Sequence, residues 1–183
     1  MKKIAWGITG AGDQLDETLD LMIETAEKCI DQLKIDVYLS KAGVQVVQYY
    51  KIKDKLTENF SKIHIERNAN DPFLAGKLQT GVYDFLLIAP ATSNTVAKIT
   101  LAIADTMLTN GALQALKANI PVYIMPTDYN EGETITELPN GKKLKLRVRK
   151  EDAENVGVLR NMEGIEPFKH PRNMTKIFRK YFN

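Results

Sequence analysis

Apolar positions along the 183-residue chain fall into two patterns that alternate from the first residue onward. Short, nearly continuous apolar runs occur at residues 2–8 (KKIAWGI), 34–40 (KIDVYLS), 61–67 (SKIHIER), 84–90 (DFLLIAP) and 120–126 (IPVYIMP). Each has strand length, and continuity rather than alternation predicts a strand covered on both faces. Between them lie stretches with helical spacing. Residues 13–33 place Leu15, Leu19, Met22, Ala26, Ile30 and Leu33 three or four apart, with acids in the first turn. Residues 41–50 predict a short helix, and residues 68–83 read as a polar segment. Residues 92–116 read as one long helix, apolar on nearly all sides, which must be buried in the core or in a subunit interface. Strand and helix in alternation predict a doubly wound α/β domain with a parallel sheet.

The regular alternation ends after residue 126. Residues 133–150 predict a β-hairpin turning at Asn140-Gly141, the pair suited to a type I′ turn. Its second arm sets Lys143, Lys145, Arg147 and Arg149 on one face, with Leu144, Leu146 and Val148 on the other. A helix at 151–162, a strand at 164–168 and a last helix from about Arg172 complete the pattern. No linker interrupts it, so the expectation is one domain over residues 1–183 with a hairpin insertion at about 131–150.

Charge changes the picture where composition does not. Residues 1–140 carry 13 basic against 18 acidic side chains, a net of −5, and residues 141–183 carry 12 against 5, a net of +7. The basic stripe at Lys143, Lys145, Arg147 and Arg149 is a solvated hairpin face, an oligomer arm or a docking surface for an acidic partner. It lacks the interleaved aromatic residues of a nucleic-acid surface. No apolar run approaches the about 20 residues of a membrane span, no metal-ligand spacing occurs, and the single cysteine, Cys29, fits a reducing cytoplasm. Cys29 falls on the apolar side of the first helix, as a packed thiol.

Four small or polar clusters each follow a predicted strand: Thr9-Gly10-Ala11-Gly12, Ser40, Pro90–Thr95 and Met125–Asn130. In a doubly wound sheet they meet at one edge, where ligands bind. The glycine loop is a phosphate cradle or a plain tight turn; it matches neither the dinucleotide nor the P-loop pattern. In PATSNT, Thr92 or Ser93 suffices to cap the next helix. Asn94 and Thr95 are left to meet the edge of a flat heterocycle that alternates C=O and N–H groups. Asp105 reads as a loop anchor or a member of a site, and His64 as an ordinary strand residue or a weak catalytic candidate.

The segment APATSNTVAKITLAIADTMLT resembles the signature of the homo-oligomeric flavin-containing cysteine decarboxylase superfamily, matching at Pro90, Ala91, Thr92, Asn94, Thr95, Lys98, Ile103, Ala104 and Asp105. The resemblance spans about residues 1–126 and implies a flavodoxin-like (Rossmann-type) fold that binds FMN between subunits of a trimer or a multiple of trimers. It implies phosphate contacts at Thr9, Gly10, Ala11, Gly12 and Ser40, and flavin contacts at Ala89, Pro90, Ala91, Thr92, Ser93, Asn94, Thr95, Met125 and Pro126. The P-x-M-N segment of the cysteine decarboxylases is missing after residue 126, and the glycine loop lacks the serines of the prenyltransferring members. The chain is more similar to the archaeal-type branch that includes dihydromethanopterin reductase. That likeness implies an FMN-dependent reductase taking electrons from a ferredoxin-type donor, docked at the basic stripe, and passing them to a small pterin-like acceptor. Flavin-dependent decarboxylation of a cysteine-like substrate and electron transfer without a dedicated substrate are the alternatives.

Overall fold

The computed structural model describes residues 1–182. Strands β1 (Lys2–Ile8), β2 (Leu33–Leu39), β3 (Ile63–Ile65), β4 (Phe85–Ala91), β5 (Val122–Pro126) and β8 (Ile165–Pro167) form one sheet in the order β3-β2-β1-β4-β5-β8. Every pairing within it is parallel. Strands β6 (Gly132–Glu137) and β7 (Lys143–Val148) pair antiparallel as a separate hairpin between β5 and the next helix. The order reverses direction between β1 and β4. This is a flavodoxin-like, Rossmann-type doubly wound fold, and its crevice opens beyond the C-terminal ends of those two strands.

Helices cover both faces. Helices α1 (Leu15–Lys28), α2 (Lys41–Tyr49) and α3 (Lys53–Asn59), with the C-terminal α8 (Met174–Arg179), pack on the face that holds Ile4, Trp6 and Ile8 of β1. Helices α4 (Leu74–Gln79), α5 (Ser93–Thr100), α6 (Met107–Lys117) and α7 (Lys150–Asn161) pack on the other face with Ala5. Alternation along β1 therefore assigns each face its helices, while both faces stay dry. On the second face β1 offers Ala5 and Gly7 to the helices: a Cβ on Gly7 would lie 2.6 Å from a Leu108 methyl, so α6 approaches the sheet closely there.

The structure corrects several expectations from the pattern. The first helix ends at Lys28, because the main-chain N–H groups of Gln32 and Leu33 both turn back to the Cys29 carbonyl. That turn leaves Ile30 exposed and starts β2 at Leu33. Residues 53–59 and 74–79 form short helices, α3 and α4, that the pattern did not separate from loop. Each contributes only one or two fully buried leucines, Leu56 from α3 and Leu74 and Leu78 from α4.

The long apolar helix is two helices. Ala102 takes a left-handed conformation, and Thr106 opens α6 through a reciprocal pair of hydrogen bonds with Thr109. Lys98 reaches across the break to Asp105 at 2.8 Å, so Asp105 is a loop anchor. The break leaves Leu101 69% and Ile103 42% exposed on the single chain instead of buried in its core.

The hairpin also turns differently. The Gly141 N–H donates to the Leu138 carbonyl and the Leu138 N–H to the Lys142 carbonyl. Only Gly141 of the Asn140-Gly141 pair has positive φ, at 77°. A type I′ turn needs both central residues there, so the bend centres on Pro139-Asn140, with Gly141 as the left-handed residue after it.

Candidate functional site

The loops after β1 and β4 are fastened to each other by one side chain. Thr9 is buried; its hydroxyl donates to the Pro90 carbonyl at 2.8 Å and accepts from the Thr92 N–H at 3.0 Å, while its own N–H reaches the same carbonyl. Both bonding directions of that hydroxyl are committed, so Thr9 acts as a clasp across the crevice floor. Trp6 Nε1 donates to the Ala89 carbonyl at 2.8 Å, and the Thr127 N–H donates to Ala91 at 3.0 Å. Ala91 pairs with Pro126 after a register shift in β4. Ala89, Pro90, Ala91, Met125 and Pro126 are all buried, and they hold PATSNT against the end of β5.

PATSNT divides its labour. Thr92 caps α5, its Oγ1 accepting from the Thr95 N–H at 3.2 Å, and the Thr95 hydroxyl lies 3.0 Å from that of Thr92. Ser93 is the first residue of α5. Asn94 is left exposed at the helix start. The main-chain N–H groups of Ser93 and Asn94 make no hydrogen bond among the described residues, so two donors and the positive end of α5 face the crevice.

The glycine loop is a second set of donors. The N–H groups of Gly10, Ala11 and Gly12 also make no hydrogen bond among the described residues. A Cβ on Gly10 would lie 2.7 Å from that of Ala42, and one on Gly12 would strike the Tyr50 ring. The glycines thus admit α2 and Tyr50 to the loop and keep its N–H groups together, an arrangement suited to a phosphate ester. Ser40 caps α2 through the Gly43 N–H at 2.9 Å, and its own N–H bonds Ile8 at 3.0 Å, beside the loop. The donor set fits FMN: oxyanion donors at residues 10–12, and N–H groups with an exposed amide at 93–94 for a polar ring edge.

Two acidic residues complete this edge. Glu66, only 7% exposed, accepts from the N–H of Lys41 at 3.0 Å and of Met107 at 2.9 Å. One buried carboxylate therefore holds the first turns of both α2 and α6. Asp128 is half-buried after β5. Burial pushes its carboxyl above the ordinary aspartate range; Asp152 and Asp13 add to this, and Ser93 and Arg149 oppose it. A polar cleft of about 220 Å³, lined by Asp13, Gln14, Thr127 and Tyr129 among others, opens alongside.

His64 is not part of this edge. It lies on β3 in register with Tyr38, whose ring stacks on it at 4.5 Å, two strands from β1. Burial and then the nearby Lys77 hold its imidazole below the usual histidine range, and Nε2 is buried without a partner. The basic stripe is partly neutralised. Lys143 and Arg147 stand opposite Glu137 and Glu133 across the hairpin, and Lys145 pairs with Glu133 at 2.7 Å. Arg149 is not on the strand face: it begins α7 and grips Asp152 through two bonds of 2.9 and 2.7 Å.

Sequence reasoning missed Glu66 and Asp128. Each stood in view, at the end of SKIHIER and inside MPTDYN, but an acid gains its role only from the helix ends folded against it.

Comparison with known proteins adds to this geometry. The family model described as Flavoprotein matches residues 1–172. An uncharacterized protein of Methanocaldococcus jannaschii is 50% identical over 181 residues, covering 99% of this chain and 96% of its own. A protein of the same organism named dihydromethanopterin reductase (acceptor) is 30% identical, covering 96% and 95%. The crystal structure of Burkholderia xenovorans DmrB in complex with FMN, described as a cubic protein cage for redox transfer, superposes with a TM-score of 0.82 at 30% identity, covering 98% and 94%. With a family model spanning residues 1–172 and a relative 50% identical over nearly the whole of both chains, this chain belongs to the Flavoprotein family.

Proposed function

We propose that the chain is an FMN-dependent reductase that takes electrons from a ferredoxin-type iron–sulfur donor and passes them to a small heterocycle of the dihydropterin class. The observation that carries the reading is the pairing of two unsatisfied donor sets, at Gly10–Gly12 and at Ser93–Asn94, across the crevice that Thr9 clasps. The loop N–H groups would hold the phosphate, with Ser40 beside them. Ser93 and Asn94 would meet the polar edge of the ring, and the start of α5 favours negative charge gathered there. FMN, when bound, supplies the hydride and single-electron chemistry. Ala89, Pro90 and Met125 give the pocket a dry, rigid floor. The names of the relatives support the acceptor class, and a homo-oligomer completing the pocket is consistent with the cage described for DmrB.

The decarboxylase alternative draws no support from His64, which lies two strands from the clasp. The test is spectroscopic. Protein purified without added cofactor is expected to show a flavin spectrum, to bleach on anaerobic addition of reduced ferredoxin, and to recolour on addition of a dihydropterin. A colourless protein that refuses FMN overturns the flavin reading; a flavin that bleaches but is not reoxidised by any pterin overturns the substrate class.

A further inference from the structure

The buried carboxylate of Glu66 joins two helices that lie on opposite faces of the sheet. Glu66 follows β3 directly, and its own N–H donates to the Leu39 carbonyl at 2.9 Å, which seats it at the end of β2. Its Oε2 accepts from the N–H of Lys41, the first residue of α2, at 3.0 Å. Its Oε1 accepts from the N–H of Met107, the first residue of α6, at 2.9 Å. The positive ends of both helices thus face one anion.

The α2 side of this tie stands against the glycine loop. A Cβ on Gly10 would lie 2.7 Å from that of Ala42, and one on Gly43 would lie 2.4 Å from the Ile8 carbonyl oxygen. With no slack between α2 and the end of β1, a small displacement of the first turn of α2 reaches the loop directly. The Ala42 N–H makes no hydrogen bond among the described residues, so this turn adds an open donor to those of Gly10, Ala11 and Gly12. The two helices are not held equally. Helix α6 buries its whole first half, Met107 to Ala112, whereas α2 buries only Gly43 and Val47. Cutting the tie therefore moves α2 rather than α6.

We propose that Glu66 is a positioning residue of the cofactor site: by tying α2 to α6 it sets the first turn of α2 against the glycine loop, and so sets the preference of the site for FMN over unphosphorylated riboflavin. The proposal rests on the FMN reading above. A carboxylate suits the task because each oxygen takes one N–H. An amide of the same size keeps one of these bonds and turns its NH₂ toward the other donor.

The test compares two ligands that differ only in the phosphate. The full chain, stripped of flavin, is titrated with FMN and with riboflavin, read by quenching of flavin fluorescence. Glu66→Gln is expected to lower the ratio of FMN to riboflavin affinity about 10-fold, the scale of one weakened hydrogen bond to a charged group. Should Glu66→Gln fail to fold, Lys41→Pro cuts the same tie from the other side. Lys41 is exposed at the first position of α2, where proline is tolerated, and Ser40 before it is already extended, at φ −64° and ψ 164°. Lys41→Ala keeps the N–H and removes only the ammonium group. A ratio lowered more by Lys41→Pro than by Lys41→Ala supports the tie, and equal ratios in those two variants overturn it. A Glu66→Gln protein that loses both flavins alike has a structural defect only, and one that holds FMN as tightly as wild type or more tightly shows a carboxylate that does not position the cradle; either overturns the proposal. A wild-type chain that takes up neither flavin overturns the FMN reading itself, and the proposal with it.

Discussion

Two clusters of polar groups lie on the same sheet and are built on opposite principles. Under β2, Lys3 pairs with Asp36 at 3.1 Å, and the Tyr83 hydroxyl donates to Asp36 at 2.7 Å. Tyr38 meets Tyr83 at 2.6 Å and accepts from Lys77 at 3.1 Å. Each of these five side chains is bonded to another of them. Burial drives the Tyr38 hydroxyl up to about 12 and raises Tyr83 as well, so both phenols stay protonated and the chain of bonds is fixed. At the C-terminal edge, by contrast, the N–H groups of Gly10, Ala11, Gly12, Ser93 and Asn94 make no hydrogen bond among the described residues. A hydrogen-bonded network holds a structure in place; open donors leave bonding capacity for a ligand.

Breaking the satisfied network gives the largest expected effect. Asp36→Ala leaves Lys3 without its counter-charge and Tyr83 without its acceptor, at a cost of about 3–5 kcal/mol in urea denaturation. Burial opposes ionisation of Asp36, and the bonds from Tyr83 and Lys3, with the charge of Lys3, outweigh it, so the folded carboxyl lies below its ordinary value. Its contribution is therefore present above the unfolded aspartate pKa of about 3.9 and fades as pH falls through the lower folded value. Asp36→Asn is expected to flatten that acid limb of the stability profile; an unchanged limb would remove Asp36 from it.

Thr9→Val tests the clasp at the other cluster. It leaves the Pro90 carbonyl with one donor fewer and the Thr92 N–H with none, at about 1–3 kcal/mol. Thr9→Ser is expected to restore both stability and FMN retention, measured by denaturation and by flavin content. Thr9→Val binding FMN as wild type would show that the crevice floor does not need the clasp.

The smallest effect belongs to the hairpin, which resembles neither cluster because its charges stand in solvent. Lys143→Ala, Lys145→Ala and Arg147→Ala are each expected to change stability by under about 1 kcal/mol. Changed together, they should slow reduction by ferredoxin and weaken its dependence on salt, if this stripe is the docking surface. Stopped-flow reduction at several ionic strengths decides it. Arg149 is left out of the set because its guanidinium is bound to Asp152.

The edge was legible in the sequence to the extent that it is local. Glycines at 10 and 12 and a threonine cap at 92 act within a few residues of themselves and stand where the pattern set them, whereas β4 runs one residue past Pro90, to Ala91. The helix break at 101–106 was hidden because Leu101, Ile103 and Met107 continue an apolar rhythm across it. Only the Thr106 cap and the Lys98–Asp105 pair interrupt that rhythm, and neither changes hydropathy. The basic stripe was visible as four alternating cations. Their neutralisation was not, because Glu133 and Glu137 come opposite only in the paired register.

The sequence by itself determined the alternation of buried strand and helix, the two faces of β1, and the gathering of small and polar residues behind successive strands. Hydrophobic periodicity and turn chemistry act over a handful of residues and are written directly in the chain. Only the tertiary structure decided that Thr9 clasps the Pro90 loop, that Glu66 holds two helix ends and that Arg149 is spent on Asp152. Those choices depend on strand order and on distances across the sheet. An ionisable group takes its protonation and its partners from whatever the fold brings within a few ångströms of it.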